Sequence, residues 1–200
     1  IFPLSGVIYF PKTKLPLNIF EQRYLDLVKD TYDNNKLMGM VQSKKNTNEI
    51  YKVGCLGKIS DFLETGDGRV LINLVGMTRF EIIKEIDNKK KYREFEVNYD
   101  EYHQDLNLKD NTESEIKFLQ DLKNKTKFFF EKNNLILNWK EFDKLDVSQQ
   151  INTIAMISPV SNEEKQKLLE TKTFLEKTNT LSEIIEFYLY DGGGFKGSIQ

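Results

Sequence analysis

Near residue 100 the hydrophobic period of the chain changes, and that change limits the fold more than any other feature. Before it, apolar residues recur at every second position. Val70, Ile72 and Leu74 do so, then Phe80 and Ile82, then Phe95, Val97 and Tyr99. That is the period of a half-buried strand. After it, Ile116, Leu119, Leu122 and Phe129 fall at spacings of three and seven. That is one face of a helix. Strands followed by helices make an α+β protein, with a sheet and a helical bundle formed in turn.

In the first half, Val7 to Phe10 reads as a short buried strand that Pro11 ends, because proline has no N–H for a ladder. Leu15-Pro16-Leu17 is extended. One helix interrupts the β pattern from Glu21, with Tyr24, Leu25, Val28 and Tyr32 expected on its inner face and Asn34-Asn35 at its end. Leu37 to Gln42, Val53 to Leu63 and the runs from Val70 to Tyr99 read as further strands. Thr65-Gly66-Asp67-Gly68 is a hairpin signal, and Gly76 is expected to interrupt the strand that follows it. Five to seven strands in about a hundred residues close most simply as a small mixed barrel, which removes exposed edges.

The stretch "DEYHQDLNLKDNTESE" from Asp100 is polar and reads as a boundary or linker. Thr112 to Glu115 and Ser161 to Glu164 are capping boxes, so helices start there. Another helix is expected from Ser148 to Ile157, ended by Pro159. A last one runs from about Thr173 through Phe174, Leu175, Leu181, Ile184, Ile185, Phe187 and Tyr188 to Gly192-Gly193-Gly194.

Composition removes several kinds of chemistry. Residues 1–100 carry 16 basic and 14 acidic groups, and residues 101–200 carry 13 and 17. Neither half has the basic excess that phosphate neutralisation favours, so nucleic acid gains no support. One cysteine, Cys55, forbids an intrachain disulfide, and with one histidine it leaves a zinc site short of ligands. Cys55 lies in a β pattern and reads as a small buried hydrophobe. His103 lies in the polar stretch, away from any apparent nucleophile. Gly57-Lys58 is followed by Ile59, so the phosphate-binding spacing G-x-x-x-x-G-K-[ST] does not occur there. The acidic residues at 113, 115, 163 and 164 suit helix first turns. Lys89-Lys90-Lys91 reads as a solvated turn. No apolar run is long enough to span a membrane.

Short motifs in a fixed order carry a resemblance. They are Pro3-Leu4, Gly6-Val7, Phe10-Pro11, Pro16-Leu17 and Phe20-Glu21-Gln22-Arg23-Tyr24, then Gly39-Met40-Val41. Val53 to Ile59, Asp67-Gly68-Arg69, Gly76 to Phe80 and Glu164 to Glu170 follow. Together they resemble the N-terminal, substrate-binding domain of Lon protease, and the terminal "GGGFKGSIQ" resembles the ends of stand-alone bacterial members. The resemblance implies a PUA-like β-barrel over residues 1–104 and a helical bundle over 105–200, together one domain of this type. It implies a cytoplasmic, non-enzymatic module that recognises unfolded or misfolded polypeptide and needs no cofactor. The ATPase and Ser-Lys protease parts of a full Lon protease would not fit in 200 residues. Arg23 and Tyr24 are expected to tie the first helix to the barrel.

Recognition of polypeptide needs a groove or a sheet edge with open backbone groups. The candidate contact residues are Lys12 and Leu15 in the loop before the second extended segment, and Gln22, Asp26 and Lys29 on the outer face of the first helix. RNA binding by analogy with PUA domains, an enzyme acting on a small molecule, and an adaptor or homodimer are the competing readings.

Overall fold

The computed structural model describes residues 1–45, 47–106 and 112–190. The chain divides into two compact units, Ile1–Leu108 and Lys109–Gln200.

The first unit is a mixed sheet of six strands with one helix. Its strands are β1 (Phe2–Leu4), β2 (Lys14–Ile19), β3 (Leu37–Ser43), β4 (Ile50–Glu64), β5 (Val70–Ile86) and β6 (Glu94–Asn98). The hydrogen-bonded order is β1-β3-β4-β5-β2, and β6 also pairs with β5. β5 is long enough to serve two neighbours on one side: Val70 to Val75 pair with β2, and Glu81 to Ile86 pair with β6. The β4–β5 ladder shifts register twice, passing over Met77 of β5 between the Leu56–Thr78 and Gly57–Gly76 pairs and over Ser60 of β4 between the Ile59–Leu74 and Asp61–Asn73 pairs, and these irregularities bend the sheet. β1 runs parallel to β3 and lies at the end of the order. The backbone nitrogen of Ile1 donates to the Arg93 carbonyl at 2.9 Å, so the β1 end of the sheet curls round to the segment that leads into β6.

Val7 to Phe10 is not a strand. Ile8, Tyr9 and Phe10 are buried as an apolar run should be, but the strand of this region is β1, before Gly6. Gly6 turns the chain at φ 89°. The Phe10 carbonyl then accepts the Thr13 hydroxyl at 2.7 Å and its N–H at 3.3 Å, inside a turn. β5 runs on through Gly76, and the expected interruption takes the form of a register shift beside it, where Met77 is passed over in the ladder to β4. The Gly76 carbonyl accepts from the Lys12 N–H at 2.8 Å and the Gly76 N–H donates to the Thr13 carbonyl at 2.9 Å, so the glycine lets that turn lie against the strand.

Helix α1 (Gln22–Asp33) buries Tyr24, Leu27, Val28 and Thr31, so Leu27 and Thr31 take the inner places expected of Leu25 and Tyr32. The first part of the polar stretch after β6 is a 3-10 helix, Asp100–Leu106, and the division between the two units falls within the same stretch, as its composition led one to expect. Tyr102 is buried there, and Asp105 holds Arg79 of β5 through both carboxylate oxygens, each at 2.8 Å. The Arg79 guanidinium also lies over the Tyr102 ring, 4.3 Å from its centroid.

The second unit contains helices α2 (Glu113–Lys132), α3 (Trp139–Phe142), α4 (Val147–Ile157), α5 (Asn162–Glu170) and α6 (Phe174–Tyr190). Both capping boxes form, Thr112 with Glu115 and Ser161 with Glu164. Leu119, Leu122, Phe129 and Phe130 of α2 meet a core that includes Ile151, Ile154, Leu168, Leu181 and Ile185. Ile116, expected inside, is 52% exposed because it precedes the first packed turn of α2. Leu175 and Phe187 of α6 are also exposed. Gly192 to Gly194 lie outside the described residues. Among the described residues, no helix is long and apolar enough to cross a membrane.

Candidate functional site

The end of the sheet at β1 leaves a seam. Three residues make a short strand, and Pro3 at its centre has no N–H to give. Beside it opens a cleft of about 880 Å³, wholly within the first unit. β1 supplies Phe2, Pro3 and Leu4, followed by Ser5. The start of α1 supplies Glu21, Arg23 and Tyr24. The β3–β4 connection supplies Ser43, Lys44, Lys45, Thr47, Asn48 and Ile50, and the approach to β6 supplies Lys91, Tyr92 and Arg93.

The apolar part of this wall is held by aromatic packing. Phe2 meets Tyr24 edge to face with centroids 4.3 Å apart, and the Arg23 guanidinium lies 4.5 Å from the Tyr24 centroid. Tyr24 thus makes the expected tie between helix and sheet, whereas Arg23 pairs with Glu21 and Tyr24 at the start of its own helix. Burial pushes the Tyr24 phenol above its ordinary pKa. Burial, helped by a 2.6 Å hydrogen bond to the Asp30 carboxylate, does the same to Tyr92.

The polar part is cationic. Five lining side chains are basic and one, Glu21, is acidic, among the described residues. Most of these cations are steadied from behind. Lys44 pairs with Glu49 at 2.8 Å, Lys91 with Asp26 at 3.2 Å and Arg93 with Glu85 at 2.7 Å, and none of these three carboxylates lines the cleft. Hydrogen bonds from Lys44 and Arg93 hold Glu49 and Glu85 below the usual carboxylate range. Asp26 is lowered too, first by the Gln22 amide and then by Lys91.

One buried group adjoins this wall without a partner. Gln42 of β3 stands opposite Leu4 in the parallel register and is 6% exposed. Its Oε1 accepts no hydrogen bond among the described residues.

None of the five residues singled out from the sequence lines the cleft. Gln22, Asp26 and Lys29 do share a face of α1: Gln22 donates to Asp26 at 2.7 Å, and Lys29 reaches Glu64 at 3.7 Å. That face flanks the cleft through the Asp26–Lys91 pair. Lys12 lies in the turn against Gly76. Leu15 is 7% exposed, opposite Leu74 in the core. Sequence reasoning missed Phe2, Leu4, Lys44, Lys45 and Arg93. The only hint was the pair of basic runs, Lys44-Lys45 and Lys89-Lys90-Lys91, at two turns.

Elsewhere the titratable groups are placed structurally. Cys55 is buried, and its thiol lies 3.6 Å from the Leu56 carbonyl. His103 is exposed, with Nδ1 2.8 Å from the Asp100 carbonyl. No group of three or more His, Cys, Asp or Glu among the described residues is placed to hold a metal ion.

A family model described as the ATP-dependent protease La (LON) substrate-binding domain matches residues 1–186. The Lon protease of Cytophaga hutchinsonii is 25% identical over 196 residues, 93% of this chain and 24% of that protein. That of Buchnera aphidicola is 25% identical over 197 residues, again 93% of this chain and 24% of the relative. This chain thus spans about a quarter of the length of these relatives. Among solved structures, the N-terminal domain of Mycobacterium avium complex Lon protease shares the fold with a TM-score of 0.69 at 15% identity, covering 92% of this chain and 96% of that one. A Lon N-terminal domain protein from Xanthomonas campestris does so with a TM-score of 0.63 at 18% identity, covering 93% and 95%.

Proposed function

The chain belongs to the family of LON substrate-binding domains, and on that premise we propose that it is a polypeptide-recognition module that does no bond-breaking of its own. The observation that carries this reading is the cleft beside β1, a strand that pairs only with β3 among the described residues. An extended chain can add to such an edge through main-chain hydrogen bonds, while its side chains enter flanking pockets. Phe2, Leu4 and Tyr24 give an apolar wall, and the lysines give a polar rim. Gln22, Asp26 and Lys29 form the outer flank of the same surface. A cytoplasmic setting goes with this reading.

The test is a fluorescence anisotropy titration of the whole chain with a labelled, permanently unfolded polypeptide at low and moderate salt. Folded protein and a short RNA serve as comparison probes. Saturable binding of the unfolded chain, with neither comparison probe competing, is the expected result. No binding up to about 100 μM, where the binding free energy is only about −5.5 kcal/mol, overturns the reading. Binding of RNA in its place replaces it with the nucleic-acid alternative.

A further inference from the structure

Resting on that reading, we infer that the cleft selects extended segments rich in aspartate or glutamate, taken up as an added strand along β1. Two features meet there.

The first is charge. Arg23, Lys44, Lys45, Lys91 and Arg93 face the cleft against Glu21 alone, among the described residues. The carboxylates that steady Lys44, Lys91 and Arg93 lie outside the lining, so a ligand meets the cations first. Like charges meeting across a complex disfavour basic segments, so the rim discriminates as well as attracts.

The second is backbone. β1 lies at the sheet end, and its far side faces the space bounded by residues 91–93. A strand laid there places alternate side chains about 6.6–6.8 Å apart on each face. One set points at the apolar wall of Phe2 and Leu4, and the other at the rim.

Nucleic acid fits the same cations less well. The aromatic side chains of the lining, Phe2, Tyr24 and Tyr92, are all buried, with Tyr24 packed edge to face against Phe2 and close to the Arg23 guanidinium, so they offer bases no open stacking face.

The experiment compares labelled ten-residue peptides that alternate valine with glutamate or valine with lysine. A third is the glutamate peptide with alternate backbone nitrogens methylated, and a fourth probe is a uridine decanucleotide. The chain is titrated as wild type, as Lys44→Glu with Lys45→Glu, and as Lys117→Glu with Lys140→Glu. This last pair makes the same charge change in the second unit. The glutamate peptide should bind at least about tenfold more tightly than the lysine peptide at low salt, with the gap shrinking as salt rises. The Lys44/Lys45 variant should lose about tenfold, the Lys117/Lys140 variant nothing, and the methylated peptide most of its affinity. Equal affinity for both charges, unimpaired binding of the methylated peptide, or tighter binding of the decanucleotide overturns the inference. If unfolded polypeptide still binds in that case, the recognition reading stands and only its chemistry and place are wrong.

Discussion

Replacing Asp105 by alanine should unfold the first unit far more readily than removing any exposed charge. Asp105 accepts from the Arg79 N–H at 2.9 Å and from its Nε and Nη2 at 2.8 Å. The two side chains are 4% and 10% exposed. An exposed ion pair contributes roughly 0–1 kcal/mol. Breaking a buried one costs about 3–5 kcal/mol, because the remaining charge stays in a poor dielectric without its counter-ion. For a unit near 100 residues that is a fall in melting temperature of roughly 15–25 °C. Replacing both partners, Arg79→Met with Asp105→Leu, removes the stranded charge and should recover much of the loss. The readout must separate the two units. The single tryptophan, Trp139, lies in the second, so its fluorescence is not a direct probe of the first. Hydrogen exchange of backbone amides, read by mass spectrometry, follows each unit by itself. Accelerated exchange across β5 and the 3-10 helix is expected, with the second unit unchanged. A loss below about 1 kcal/mol, or a double replacement as damaging as Asp105→Ala, refutes the reasoning.

Three further outcomes follow from local geometry. Gly76→Ala should destabilise by about 3 kcal/mol in urea unfolding, because the new methyl would lie 2.2 Å from the Phe10 carbonyl oxygen, whereas Gly66→Ala meets nothing within 4 Å and should be near neutral. Ser161→Ala removes a cap and should cost about 1 kcal/mol, read through Trp139 fluorescence in the second unit. Asp67 is held well below the usual carboxylate range, first by the Arg69 guanidinium and then by the Thr65 hydroxyl. A depressed folded-state pKa means the unfolded chain takes the proton first, so this contribution is complete above about pH 4 and is lost as pH falls further. The melting-temperature gap between wild type and Asp67→Asn should therefore narrow below pH 4, and a gap constant down to pH 2 would contradict this.

Features made within a few residues were legible in the sequence. Both capping boxes join a side chain to a backbone group three residues away, and the Thr65–Arg69 turn closes in the same local way. The α+β class was legible too, since it depends only on periodicity. Val7 to Phe10 was misread because burial without a ladder leaves the same apolar run as a strand. The Arg79–Asp105 pair spans 26 residues, and nothing near Asp105 announces it. The cleft was hidden for the same reason. Its walls come from four segments between Phe2 and Arg93, and only the curl of the sheet brings them together. Leu15 illustrates the converse, since an apolar residue in a loop-like setting proved to belong to the core.

The most direct measurement is a backbone-amide NMR titration of the isotope-labelled chain with an unfolded polypeptide. If the β1 cleft is the recognition surface, shift changes will concentrate at Phe2, Leu4, Ser5, Ser43 to Lys45 and Lys91 to Arg93, leaving the second unit unmoved. Saturating changes confined to the helices of the second unit, or no changes at concentrations where anisotropy reports binding, would contradict it.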